Sequence, residues 1–396
     1  MTWLTAPLRK VAPPVSAPAS YKPDEMVWQL SLDQIEGDTG ELIGKRFALA
    51  STAGTSTFCF DTGNVLYSKL RPYLNKVAIP DEPGIATTEL IPLRPKVGVL
   101  NPRYLAYYLR SPSFVNKASH HVAGAKMPRV VMDWFWAHEA PLPSPTEQSR
   151  IVEILDEAEG LRRLRRRADA KAARILPALF LTMFGDPATN PMGLQKKPLG
   201  ELIRVKSGNF LPARDMAVGG VFPVYGGNGV SGFHDAFMFE DRKVILGRVG
   251  AYCGVVHYSE PRAWITDNAL YVSEKLQPLE DYYLVAALEQ ANLNQYAGRA
   301  GQPLISGSRI YPVEILIPPP SVQSSFSKSV ASLRALDTTR TDASDRLDQL
   351  WDLLMGRAFS GQLTAKWREG QMQELLSEMA QQAKALNLPP VLEAAA

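Results

Sequence analysis

Two nine-residue segments set basic side chains beside a tyrosine at the same spacing. One is Val65-Leu-Tyr-Ser-Lys-Leu-Arg-Pro-Tyr73 and the other Val244-Ile-Leu-Gly-Arg-Val-Gly-Ala-Tyr252. Lys69, Arg71 and Tyr73 in the first, and Arg248 and Tyr252 in the second, could supply phosphate contacts, base-edge hydrogen bonds and stacking. An ordinary strand with a core tyrosine would show the same pattern. Nearby loops add donors of the same kind: Lys126 and Arg129 within 120–129, and Arg299 and Gln302 within 299–309. A further loop, 206–214, carries Lys206, Asn209 and Arg214, and its nearest counterpart, around Thr52–Thr57, is poorly matched.

No catalytic constellation accompanies them. Gly227-Asn-Gly-Val-Ser-Gly232 has the letters of a dinucleotide fingerprint, but aromatic and charged residues follow where a helix should start. There is no Walker A sequence and no G-x-S-x-G elbow, and five histidines with two distant cysteines give no zinc-ligand spacing. Asp241-Arg-Lys243 has a nuclease-like shape without an upstream Pro-Asp, and His120-His121 reads as a polar loop pair. No cofactor or metal site is expected in this chain.

The elements that position these residues are duplicated. The two segments align without gaps, and the same shift carries Thr87 onto Thr266 and Tyr104-Leu105 onto Tyr283-Leu284. Farther on, Glu139-Ala-Pro-Leu-Pro-Ser-Pro-Thr-Glu-Gln148 matches Glu314-Ile-Leu-Ile-Pro-Pro-Pro-Ser-Val-Gln323. Each copy reads as a globular part, a proline-rich hinge and a long helix. Short helices are expected at Pro102–Ser111 and Asp281–Gln290.

The long helices show matched 3–4 spacing. The first seam runs through Ile154, Ala158, Leu161, Arg165, Ala168 and Ile175, and the second through Leu333, Leu336, Arg340, Ala343, Leu347 and Leu350. Each helix could pack on its own domain; packing on each other as an antiparallel coiled coil is preferred, and would relate the halves by a pseudo-two-fold. Arg165 and Arg340 would then lie close together, with Asp169 and Asp337 as their carboxylate partners. The 154–179 stretch would span about 39 Å, near the roughly 34–36 Å of one DNA turn. Pro177 should kink or restart the first helix. Its basic run, Arg162 to Arg174, fits a solvated, acid-paired face or a phosphate-contacting one.

With 396 residues the chain exceeds one average domain, and 43 basic against 40 acidic residues leave a charge of only +3, so any anion-binding surface must be local. Two cysteines exclude a disulfide framework and suit a reducing cytoplasm. No apolar run reaches the ~18 residues of a membrane span. The expected boundaries are a Pro/Ala-rich arm at 1–23, domains at 24–146 and 187–321, helices at 147–186 and 322–361, and a tail at 362–396 with a helix at Gln371–Leu388.

The order of these parts resembles the specificity subunit of type I restriction–modification systems. The matching residues are Pro141-Leu-Pro-Ser-Pro-Thr-Glu-Gln-Ser-Arg-Ile151, Met183-Phe-Gly-Asp-Pro-Ala-Thr-Asn-Pro191, Lys197-Pro-Leu-Gly-Glu201, Gly356-Arg-Ala-Phe-Ser-Gly-Gln-Leu-Thr364 and Trp367-Arg368-Glu369. The resemblance implies an α+β chain: two pseudo-symmetric target-recognition domains reading a bipartite double-stranded DNA sequence, with the helices as a ruler. It also implies two methyltransferase (M) subunits carrying S-adenosylmethionine, to which restriction (R) subunits can add, so that this chain is not itself the enzyme. Against the pattern, the first copy lacks a clear Leu-Gly-Glu opening, and Glu147 is replaced by Val322 in the second hinge. The competing reading is a helical adaptor with two ligand-binding domains and no DNA role.

Overall fold

The computed structural model describes residues 2–18, 20–54, 56–217, 219–298 and 303–389. The chain forms two compact units, 1–164 with 344–396, and 165–343. Both are mixed helix and sheet.

In the first unit a four-stranded sheet orders Phe47–Leu49, Met26–Leu30, Gly84–Thr87 and Thr57–Phe60, and a three-stranded sheet orders Val77–Ala78, Val65–Ser68 and Leu90–Leu93. Helices Pro102–Arg110 and Pro112–His120 follow. Asn101 caps the first, its side chain accepting from the Arg103 N–H at 2.8 Å. In the second unit the sheets order Ile203–Ser207, Ala269–Lys275, Val244–Gly247, Val256–Tyr258 and Gly229–His234, Phe222–Gly226, Trp264–Ile265, with a helix at Asp281–Gln290. Matching hydrogen bonds confirm the duplication. Tyr104 Oη donates to the Pro141 carbonyl and Tyr283 Oη to that of Leu316. Gln148 accepts from the Asn101 N–H, and Gln323 from that of Glu280.

The described residues of the expected 1–23 arm are folded into the first unit. Leu4–Pro7 is a strand antiparallel to Glu139–Leu142, as Gln195–Pro198 is to Glu314–Ile317. Leu8, buried, donates its N–H to His138 O, as Leu199 does to Val313 O. Val15 N–H donates to Pro92 O, where Lys206 pairs with Tyr271 in the second copy. The counterpart of the 206–214 loop is therefore this N-terminal segment, not Thr52–Thr57. Prolines hid it: Pro7 begins the turn into Leu8 in the manner of Pro198 before Leu199.

The tail also belongs to the first unit. Helices Ala365–Glu369 and Met372–Ala385 bury Leu375, Met379 and Ala383, with Leu386 just beyond. Glu378 accepts from the Thr146 N–H and Oγ1 at 3.1 and 2.5 Å, capping the first long helix. Gln382 donates to the carbonyls of Val99 and Pro143.

The first long helix runs Pro145–Ala172 and restarts at Ile175–Phe184; the second runs Pro320–Phe359 unbroken. The break lies four residues before Pro177, whose ring cannot sit against the Ala173 carbonyl in a helix. Each long helix starts in its own domain core, through Ile151 and Leu155 or Phe326 and Val330. The helices also meet antiparallel. Arg162 reaches Asp348 at 2.9 Å in the first unit, and Arg165 donates to the Arg340 carbonyl in the second.

The expected seam is one residue out of phase at alternate positions. Leu161, Leu336 and Leu350 are 60%, 66% and 61% exposed, and Ile175, Ala168 and Ala343 are exposed as well. Arg162, Asp169 and Leu176, with Ser344 and Trp351, take those turns instead; Arg162 lies 4.8 Å over the Trp351 ring. Ala158, Arg165, Leu333, Arg340 and Leu347 hold inward positions, and Ile154 is half-buried. The phase is set by the anchors Ile151 and Leu155, from which a 4–3 spacing runs to 158, 162, 165 and 169. Ion pairing makes charged inward positions tolerable.

Candidate nucleic-acid interface

In the first unit five candidates converge at one sheet end. The Lys69 N–H donates to Glu89 O at 3.0 Å, and its carbonyl accepts from Val130 N at 2.9 Å. Arg71 donates to Pro128 O at 2.7 Å and adopts φ +49°, which turns the chain into the short helix Pro72–Leu74 and leaves Tyr73 55% exposed. The strap Val122–Val130 doubles back at Gly124, φ +95°, and presents Lys126 to solvent. Arg129 is already matched: Nη2 lies 2.7 Å from Glu89 Oε1, and Nε lies 3.0 and 3.1 Å from the two carboxylate oxygens. Among the described residues Lys69, Arg71 and Lys126 make no ion pair.

The second unit builds the same corner with other side chains. The Arg248 N–H donates to Asn268 O, and Ile305 N donates to Arg248 O. Gly250 donates to Pro303 O and opens the turn Gly250–Tyr252, leaving Tyr252 50% exposed. Arg248 Nη1 is held by Ser207 Oγ at 2.9 Å and Asp267 O at 3.2 Å, so it braces the corner. Lys206 is exposed on the neighbouring strand. Asn209 is tied through its backbone to Ile265 and Trp264, with its side chain outward. Arg214 is exposed, 3.6 Å from its neighbour Asp215, a pair worth little in water. Arg299 and Gln302 lie outside the described residues.

Sequence reasoning missed Phe210, 73% exposed beside Asn209, and the role of the glycine segment. Within Gly227–Gly232, residues 227 and 228 make the hairpin turn, and Gly229, at φ +88°, starts the return strand bordering the same corner. His257 sits under this turn, its imidazole pushed down by burial while a bond to the Gly227 backbone pulls it up. An aromatic next to Lys206-Ser-Gly-Asn209 was the available signal. Of the basic run on the first long helix, Arg162 is paired with Asp348 and Arg165 with Asp169; Arg163, Arg167, Lys171 and Arg174 are exposed.

The two corners use one scaffold and present different side chains, which is the arrangement of a duplicated recognition protein. A family model described as the type I restriction modification DNA specificity domain matches residues 50–167 and 191–343, more than half of the chain. The chain belongs to this family. It is 26% identical over 128 residues to the type I restriction enzyme EcoprrI specificity subunit of Escherichia coli, covering 31% of this chain and 32% of that one. It is 26% identical over 172 residues to the MjaIX specificity subunit of Methanocaldococcus jannaschii, covering 40% and 39%. These matches span well under half the length of either relative. The fold is like that of a type I restriction–modification S subunit from M. genitalium: TM-score 0.56, 15% identity, 91% of this chain and 96% of that one. It is also like a chain from a structure concerning complex assembly and conformational transition of the type I R-M system: TM-score 0.56, 18% identity, 91% and 98%.

Proposed function

We propose that this chain reads a bipartite DNA target, one half with each corner, as the non-catalytic specificity subunit of a methyltransferase complex. The observation that carries the reading is the recurrence of one backbone corner with different side chains on it: Lys69 and Arg129 in one copy, Arg248 and Leu304 in the other. Lys69, Arg71, Tyr73, Lys126, Lys206, Asn209, Arg214 and Tyr252 are the proposed contacts. Arg129 and Arg248 act mainly as braces. Two M subunits carrying S-adenosylmethionine, and R subunits where present, supply the chemistry. The exposed leucines of the long helices, Leu161, Leu164, Leu350 and Leu353 in the first unit, offer them an apolar face.

The test is co-expression with the M subunit, co-purification and methylation-site sequencing. A methylated motif in two parts separated by an unread spacer is the expected result. An adaptor without a DNA role would give no motif and no salt-sensitive DNA binding.

A further inference from the structure

In the second unit a cleft of about 750 Å³ opens beside the Arg248 corner. Phe210 and Tyr252 line it, with the glycine turn at Gly226–Gly229 and the side chains of Asn228, Thr266 and Asn268. Two features of this cleft are unsatisfied. Large rings 73% and 50% exposed are covered by nothing among the described residues. Thr266 is 3% exposed, yet its hydroxyl has no hydrogen-bond partner among them, and buried polar groups are rarely left so.

A flat heterocycle satisfies both at once: its face covers a ring and its edge meets the hydroxyl. A phosphate would not, because the Arg248 guanidinium is committed to Ser207 and Asp267. Turn residues without side chains let a planar group approach the backbone. Exposed Lys206 and Arg214 on the flanking 206–214 segment bring a nucleic-acid strand near.

We propose that this cleft receives one nucleobase drawn out of the stack of the half-site that the second unit reads. The base lies against Phe210 or Tyr252 with its edge on the Thr266 hydroxyl. The first unit lacks the glycine turn: its corresponding strands, Met26–Leu30 and Phe47–Leu49, are joined by the long segment 31–46. Capture in a cleft of this kind is therefore confined to one half-site. This inference rests on the DNA-reading proposal above.

The experiment uses the full chain with its M subunits, without S-adenosylmethionine, on the duplex found by methylation mapping. 2-Aminopurine is placed at each position of each half-site in turn. One position in the second unit's half-site, other than the methylated base, should brighten several-fold on binding. Phe210→Ala with Tyr252→Ala should abolish that signal and weaken binding by about tenfold or more, with the salt slope unchanged. Thr266→Val should keep the signal and relax the base preference at that position. A signal that survives the double substitution, or salt-sensitive and sequence-selective binding with no brightened position, overturns the cleft proposal and leaves DNA reading intact. Absence of any sequence-selective binding overturns both.

Discussion

The Arg110 guanidinium donates to the Glu159 carboxylate at 3.1 Å and so ties the Pro102–Arg110 helix to the first long helix. The repeat places Glu289 and Arg334 at these two positions, with the charges exchanged. Arg334 lies 5.2 Å over the Tyr282 ring and acts on the Glu289 carboxylate. Each domain thus marks its own long helix electrostatically, since docking the other helix would oppose like charges. Glu159→Arg should destabilise the first unit by about 3–5 kcal/mol, as for any broken buried pair. Adding Arg110→Glu should return at least ~1 kcal/mol in a double-mutant cycle by urea unfolding. Strict additivity would show that the pair is not coupled.

Glu147 is fully buried and joins the N-terminal strand segment to the tail that follows the second long helix. Its carboxylate accepts from Trp3 Nε1 at 3.0 Å, Thr364 Oγ1 at 2.5 Å, and Arg368 Nε and Nη2 at 2.8 and 2.7 Å. Val322 replaces it in the second hinge, where Leu194 and Thr189 stand in for Trp3 and Thr364. Glu147→Val should cost about 3–5 kcal/mol because Arg368 stays buried without a counter-charge. Adding Arg368→Met should recover most of that loss, measured by denaturant midpoint.

Glu89 neutralises Arg129 at the first corner. Glu89→Gln frees that charge, so DNA affinity should rise and the slope of log K against log salt should steepen by about 0.9. Arg129→Ala alone should leave the slope unchanged. Arg248→Ala, which removes a brace, should weaken only the second unit's half-site.

Asp169 lies between two seam arginines, 3.1 Å from Arg165 Nε and 3.3 Å from Arg340 Nε. Asp337 adds a second contact to Arg340 at 3.1 Å. Asp169→Ala leaves two guanidinium groups repelling and should cost about 1–2 kcal/mol for this partly exposed site. Arg165→Leu with Arg340→Leu tests whether the arginines fix register: unchanged cysteine cross-linking between the helices would show that they do not.

Burial pushes the His138 imidazole down to about 4, with the Lys117 and His121 charges adding to it, while its Nε2 sits 2.7 Å from Tyr108 Oη. In the unfolded chain it titrates near 6.5. The unfolded state therefore binds the extra proton between these values, so this contribution is complete above about pH 6.5 and is lost as pH falls through 4. His138→Gln should flatten the decline of the melting temperature over that window relative to the parent chain.

The repeat, the two hinges and the long helices were legible in the sequence because periodicity and proline spacing are local. Lys69, Arg71, Tyr73, Lys126 and Arg129 could be singled out by residue type, but that the strand end and the 122–130 strap meet is a tertiary fact. The seam phase was not legible, because apolar Leu161 and Leu350 fit a heptad as well as Arg162 and Trp351 do. Only the burial of Ile151 and Leu155 in the domain core chooses between them. The N-terminal segment looked like an arm because strand pairing with Glu139–Leu142 is a long-range fact that prolines conceal. The tertiary structure alone decided that Arg129 is spoken for by Glu89, and that Trp3, Thr364 and Arg368 meet at Glu147. Sequence determines which charges exist; the fold determines which of them remain free.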